Sequence, residues 1–303
     1  MESVVLLSGG TGGAKLARGL ADACDALTVV ANTGDDVDVY GVHVSPDPDL
    51  VTYWLADEID ERGWGLRGDT WRVMEALEQA GVPHWFRLGD RDLAMCLIRT
   101  ERLRAGESLT AAHGAVVEAM GVEARVLPMS DQPVSTWVGA RGRTMPFQEF
   151  MIVERAQGPV ESVELRRIES VAPSDEVLQA IAEADAIVIG PSNPVISIGP
   201  ILSLPGMSEA VRAAPAPVVA VSPFVGGRSI KGPTEPFCEQ AGIELSAAGI
   251  ARAYGGVIDG VVADEPSGAA AELVTDTLMD TAEARDRLAR EVLDFAASLR
   301  TTR

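Results

Sequence analysis

LLSGGTGGAKLARGL, residues Leu6–Leu20, joins an apolar run to a helical pattern through a knot of glycines around Thr11. With Val4 and Val5 in front, the run reads as a buried strand, and AKLARGLADA reads as the helix that follows it. LTVVANTGDD, from Leu27 to Asp36, is a second strand with polar residues at its end. A chain that opens strand, helix, strand belongs to the α/β class. The expected fold is a Rossmann-like parallel sheet flanked by helices, with ligands at the carboxyl ends of its strands.

Further along, DTWRVMEALEQ has helical spacing from Asp69 to Gln79, and PHWFRLGDRDLAMCLIRTERLRAG predicts a strand, a polar turn and a helix. SLTAAHGAVVEAMGV is another helix and ARVLPMS another strand. From about Ser135 to Arg167 the pattern alternates between turn residues, which predicts a small β-rich insertion. DEVLQAIAEADAIVIGPSNP then restores the helix-to-buried-strand order, APVVAVSP and VIDGVVADEP add strands, PFCEQAGI a helix, and TAEARDRLAREVLDFAASL a closing helix. The organisation expected is one Rossmann-like domain over residues 1–303 with a smaller lobe inserted at 135–167.

The chain has 303 residues and a formal net charge of −20, and its lysines are Lys15 and Lys231 alone. Such a surface repels polynucleotides and anionic membranes, so neither is an expected partner. Acidity of this kind also follows from genome composition or a saline cytoplasm and does not specify a reaction. An anionic substrate would nonetheless need local positive groups or a divalent cation to enter. Cys24, Cys96 and Cys238 have no metal-ligand or disulfide spacing, and no apolar run reaches membrane-spanning length, which leads to the expectation of a cytoplasmic protein. His43, His84 and His113 form no metal pattern, and no Gly-x-Ser-x-Gly elbow is present.

Candidate chemistry gathers at strand ends. The glycines of Ser8–Lys15 suit backbone amides approaching an anion at a helix N-terminus. Ala14 before Lys15 breaks the Walker pattern, and Lys15 stands where a dinucleotide fingerprint needs a small residue. An ordinary strand-to-helix turn is the competing reading. Asn32-Thr33-Gly34-Asp35-Asp36 ends the second strand, where a lone acid would suit a ribose and two suit a divalent cation. Ser45-Pro46-Asp47-Pro48-Asp49 reads as an extended segment that brings Asp47 and Asp49 to the same rim, or as a solvated turn. Trp64 and Trp71 suit stacking on a flat heterocycle, or core packing, and Arg67 suits phosphate oxygens. In LGDRDL, Asp90 or Asp92 suits a helix cap. Gly190-Pro191-Ser192-Asn193-Pro194 delivers hydrogen-bonding groups from a third strand, or caps the next helix.

In order, SGGTGGAKLARGL, NTGDD, SPDPD, RGWGLRGDTW, WFRLGDRDLA, LPMSD, FQEF and IGPSNPVISIGPIL resemble one family. It is the 2-phospho-L-lactate transferase family of coenzyme F420 biosynthesis, with its actinobacterial phosphoenolpyruvyl-transferring members. The resemblance runs to about Gly260. It implies Mg²⁺-dependent transfer of a phospho-three-carbon acid, 2-phospho-L-lactate or phosphoenolpyruvate, from a guanosine diphosphate ester to the terminal ribityl hydroxyl of the deazaflavin Fo. GMP leaves, and the product is coenzyme F420-0 or its dehydro form. The resemblance places Gly10, Thr11, Gly12, Gly13 and Lys15 around the diphosphate, and Asp35 with Asp47 or Asp49 on Mg²⁺. Asp35, Asp36 and Arg67 become catalytic candidates, one carboxylate taking the ribityl proton. Asn32, Gly190, Ser192 and Asn193 would orient guanine or phosphate, and Trp64, Asp69 and Trp71 the acceptor. A homodimer is expected. The alternative is a non-catalytic nucleotide-sugar-binding regulator with the same early glycine-rich segment, and a nicotinamide-dependent oxidoreductase comes third.

Overall fold

The computed structural model describes residues 1–230 and 232–300. In chain order the elements begin β1 (Ser3–Ser8), α1 (Gly10–Ala21), β2 (Ala26–Ala31), β3 (Val37–Val39), β4 (Val42–Val44), α2 (Pro46–Leu55), α3 (Arg72–Gln79), α4 (Asp90–Arg104), α5 (Leu109–Ala119) and β5 (Arg125–Pro128). Then come β6 (Ser135–Ala140), β7 (Arg143–Pro146), β8 (Ser162–Arg166), α6 (Asp175–Glu183), β9 (Ala186–Ile189), α7 (Ile198–Leu202), α8 (Met207–Ala213) and β10 (Val218–Val221). The chain continues through β11 (Phe224–Val225), β12 (Arg228–Ser229), α9 (Thr234–Ala241), α10 (Ala247–Ala253), β13 (Gly260–Ala263), β14 (Glu272–Val274) and α11 (Ala282–Arg300).

Seven strands form one sheet in the order β14-β13-β10-β9-β1-β2-β5, and every pairing is parallel. Strands buried on both faces need continuous apolar runs, which is why VVLL, AIVI and VVAV lack polar alternation. Successive residues still part company. Val4 and Leu6 pack with Leu16 and Leu20 of α1 and Leu288 and Val292 of α11, whereas Val5 and Leu7 pack with Val177 and Ile181 of α6 and Met207 and Val211 of α8. Removing Leu6 or Leu7, both fully buried, would cost about 2–5 kcal/mol each. Serines that the sequence places before helical runs cap them: Ser108, Ser174 and Ser246 accept from the backbone N–H three residues on.

From β1 the chain winds outward through β2 to β5, then returns and winds the other way through β9, β10, β13 and β14. β1 and β9 are neighbours, so the winding reverses between them, and the crevice beyond their carboxyl ends is where such sheets bind ligands. The inserted lobe is present as a three-stranded antiparallel sheet, β7-β6-β8, whose apolar face covers Phe150 and reaches Phe237 of α9. A second lobe, the hairpin β3-β4 with α3 and α4, encloses Val39, Val42, Val44, Met74, Phe86, Leu88 and Cys96. No helix among the described residues is long and apolar enough to cross a membrane.

Three local expectations are corrected. The segment around Phe86 is not a paired strand: Phe86 and Leu88 are buried and Arg87 faces out, but no strand among the described residues pairs with it. Ser45–Asp49 is not extended; Pro46 is the first residue of α2, where a missing N–H costs nothing. The glycine-rich stretch is less a loop than a helix start, because α1 begins at Gly10.

Candidate active site

A cleft of about 750 Å³ opens at the reversal of the sheet. Its floor is the first turn of α1. Gly9 occupies the N-cap position without a side chain to offer, and Gly10 follows with φ +69, a conformation that a side chain would strain. Gly12 and Gly13 let α1 descend onto β9: a Cβ on Gly12 would strike the Pro191 carbonyl, and one on Gly13 would strike the hydroxyls of Ser8 and Ser192. The glycines therefore serve both the close helix approach and the cleft surface. Gly10, Thr11 and Gly12 line the cleft, while Gly13 and Gly190 lie beneath it in the β1–β9 contact, where Gly190 N donates to Leu7 O at 2.9 Å.

Two carboxylates face this helix end. Asp47, in the first turn of α2, accepts from Gly10 N at 2.6 Å through Oδ1 and from Asn32 Nδ2 at 2.9 Å through Oδ2. Asn32 Nδ2 also lies 3.3 Å from Asp35 Oδ1. Gln148, which follows β7 within the inserted lobe, donates Nε2 to Asp35 Oδ2 at 3.2 Å. Both acids are buried at the cleft wall. Burial pushes the Asp47 carboxyl up to about 6, and raises Asp35 well above the usual range, with the charges of Asp47 and Asp36 adding to the effect. Without a cation between them, two buried carboxylates repel.

The donor set suits a hard divalent cation: oxygen ligands, surplus negative charge and, among the described residues, no arginine or lysine ion-paired to Asp35 or Asp47. Asp49 does not join it. Its carboxylate is held by the fully buried Arg99 at 2.6 and 2.8 Å, and Arg99 also donates to the His43 carbonyl at 3.0 Å. Asp92 and Cys96 lie near Asp49, with ligand atoms within 4.8 Å of one another, but the Arg99 guanidinium already supplies the positive charge there. Burial, helped by Asp49, raises Asp92 to about 7, and Tyr53 donates to it at 2.7 Å. His113 behind this pair is driven down to about 4 by burial.

Asp36 lies off the main cleft, in a recess of about 250 Å³ that shares Asp35, Trp85, Phe147 and Gln148 with it. Ser45 donates to Asp36 at 2.8 Å and His43 Nε2 is 3.0 Å away. Burial is the largest influence and opposes charge on His43, yet the hydrogen bond and charge of Asp36, together with the hydrogen bond to Asp38, outweigh it and the imidazole pKa is raised.

On the opposite wall Ser192 and Asn193 follow β9. Ser192 Oγ accepts from Gly9 N at 3.3 Å, and Asn193 Oδ1 accepts from Val195 N at 2.8 Å, closing a turn that aims the segment at the cleft. Lys15 lines the cleft but its ammonium donates to the Met279 carbonyl at 2.8 Å. Thr277 in the same C-terminal segment has a buried hydroxyl with no partner among the described residues.

The tryptophan segment divides. Trp64 lines the cleft and is half exposed; Trp71 stands behind it, ring centroids 6.0 Å apart. Asp69 and Asp90 cap each other's helices: Asp69 accepts from Arg91 N at 2.9 Å and Asp92 N at 3.0 Å at the start of α4, and Asp90 from Val73 N at 3.1 Å at the start of α3. Arg67 is not at the cleft; it donates to the Asp57 carbonyl at 2.8 Å on the surface. Arg87, Gln148 and Thr277, which the sequence reading had not singled out, line the cleft instead. Their only advance mark was position: Arg87 and Gln148 sit inside WFRLGDRDLA and FQEF, segments already joined to the resemblance.

Comparison with known proteins bears on the fold and the family. A chain of Bacillus halodurans from the UPF0052 family superposes with a TM-score of 0.55 at 21% identity, covering 88% of this chain and 81% of its own, and shares the fold. A phosphoenolpyruvate transferase of Kitasatospora aureofaciens is 41% identical over 98% of both chains. A 2-phospho-L-lactate transferase of Methanosarcina acetivorans is 40% identical over 86% of both. The family model described as 2-phospho-L-lactate transferase CofD matches residues 4–293, and this chain, a transferase with its cleft at the sheet's reversal, belongs to that family.

Proposed function

We propose that the protein transfers a phospho-three-carbon acid from a lactyl- or enolpyruvyl-diphospho-guanosine to the terminal ribityl hydroxyl of Fo, releasing GMP. The observation that carries this reading is the pair Asp35 and Asp47, joined by Asn32 and set against the N-terminus of α1 within one cleft. The hydroxyl oxygen of Fo bonds to the phosphorus bearing the acid, and the bond from that phosphorus to the oxygen of GMP breaks. GMP carries that oxygen and its electron pair away.

Such transfers depend on alignment and charge stabilisation more than on covalent help from the enzyme. The Thr11 and Gly12 amides, at the positive end of α1, orient the diphosphate. Asp35 and Asp47 would hold Mg²⁺, which when bound offsets phosphate charge. Asp36, which is not one of the two acids that would hold the cation and whose carboxyl pKa burial raises, is the acid suited to receive the proton lost by the ribityl hydroxyl. Trp64 and Trp85, exposed at the cleft, offer flat apolar surfaces to the deazaflavin ring.

Incubating the protein with Mg²⁺, Fo and a panel of guanosine diphosphate esters tests the reading directly. GMP release with a deazaflavin product heavier by the phospho-acid is the expected result. Binding of a nucleotide sugar with no turnover of any ester would overturn it in favour of a regulator.

A further inference from the structure

Among the described residues lining the cleft, the basic side chains are Lys15 and Arg87. Lys15 is committed to the Met279 carbonyl. Arg87 has neither a hydrogen bond nor an ion pair to another described residue; its guanidinium lies 5.1 Å from the Trp71 ring centroid. Arg62, whose guanidinium is equally 5.1 Å from Trp71, is neutralised by Asp60 at 2.5 Å. Of the two arginines on that ring, then, only Arg87 keeps its charge and its N–H edge for something else.

Its backbone is fixed. Phe86 and Leu88 on either side are buried in the β3-β4 lobe, and Phe86 N donates to the Tyr40 hydroxyl at 3.1 Å. An arginine laid on an aromatic face, between two anchored neighbours, gives up less freedom on gripping a planar oxyanion. In a chain of net charge −20, a cation without a carboxylate partner at the wall of an anion-receiving cleft calls for a ligand.

We propose that Arg87 grips the carboxylate of the three-carbon acid on the donor, through two parallel N–H···O bonds, with Trp71 as the positioning residue behind it. The inference rests on the transferase reading and extends it to specificity. The diphosphate already has the α1 amides, and guanine and ribose carry no charge, so the carboxylate is the donor's remaining anion. Lactyl and enolpyruvyl esters share that group and differ at the carbon beside it. A fork reading only the carboxylate accepts both acids and rejects esters that lack one.

The test uses two donors: lactyl-diphospho-guanosine and ethyl-diphospho-guanosine, the same ester with hydrogen in place of the carboxylate. In Arg87→Ala, kcat/KM for the lactyl donor should fall roughly 10- to 100-fold, with KM for Fo unchanged and the ethyl donor unaffected. Arg87→Lys, which keeps charge but not the fork, should fall between, and Trp71→Leu should lose part of the preference while retaining Arg87. Equal losses on both donors, or a change confined to KM for Fo, would overturn the assignment. Wild-type protein that turns over no ester ends the transferase reading and this inference together; wild-type turnover with selectivity unchanged in Arg87→Ala ends this inference alone.

Discussion

The backbone N–H of Gly10 donates to Asp47 Oδ1 at 2.6 Å, so the helix that starts with glycines borrows its cap from the first turn of another helix. Asp47 thus stands at two positive helix ends at once, and burial still raises its pKa. Asp47→Asn keeps an oxygen for Gly10 and removes the charge. At pH 7 it should match or exceed the wild-type melting temperature while turnover falls at least about 100-fold, whereas Asp47→Ala should lose turnover and about 1 kcal/mol of stability. Thermal unfolding alongside initial rates separates the two.

The acid pair makes stability depend on pH in a definite direction. Asp47 titrates at about 6 when folded and near the ordinary carboxyl value, about 3.9, when unfolded. The native state therefore holds more protons between those values, and the contribution of this group is greatest below about pH 4 and is lost as pH rises through 6. Asp35 and Asp92 act in the same sense. His113, held near 4, acts oppositely: it favours the native state above about pH 6.5 and withdraws that support as pH falls. Comparison with Asp47→Asn isolates one group. In chelator-treated protein, the variant should gain on wild type by about 2 kcal/mol as pH rises from 4 to 7. A difference that stays flat would mean that Asp47 titrates normally.

Arg99 and Asp49 form the buried support beneath the site. Because the guanidinium is fully buried, removing Asp49 leaves an uncompensated charge, and Asp49→Ala should cost about 3–5 kcal/mol in denaturant unfolding. Asp35→Ala should abolish turnover with the fold retained. If the two variants instead exchanged these behaviours, Asp49 would be the functional acid and Asp35 the structural one.

Gly12 cannot carry a side chain without moving the Pro191 backbone. Gly12→Ala should lower stability by about 1–3 kcal/mol and weaken GMP binding, read by thermal unfolding and calorimetry. Gly114, inside α5 with open space around its Cα, is the control: alanine there should leave GMP binding unchanged and raise stability by about 0.5–1 kcal/mol.

Most of the sheet is legible because β1, β2, β9, β10 and β13 announce themselves as apolar runs, and α6 and α11 because their buried positions recur at helical spacing; β14, a half-exposed Glu272–Val274, and the short α8 carry no such mark and escape the sequence reading. Helix α2 was hidden by its prolines, which look like breakers but occupy the first turn, where Pro46 and Pro48 need no intrahelical N–H bond. That error also misplaced Asp49: on a helix, Asp47 and Asp49 point to different surroundings, and only Asp47 meets Gly10. Arg67 and Arg87 show a second limit. Each follows an apolar or aromatic residue in a polar turn, and nothing local decides that one reaches the Asp57 carbonyl and the other the cleft. Asp69 looked like a ligand residue because a cap for a helix twenty residues later leaves no mark at its own position.

β1 pairs on one side with β2, which follows it closely in the chain, and on the other with β9, which comes much later, Val4 lying against Ala186. At ordinary translation rates the nascent chain carries an apolar strand with one open edge for roughly ten seconds or more before its neighbour is made. Protection of that edge by chaperones should therefore govern the yield of this protein on expression, and amino-terminal fragments ending before β9 should aggregate rather than fold.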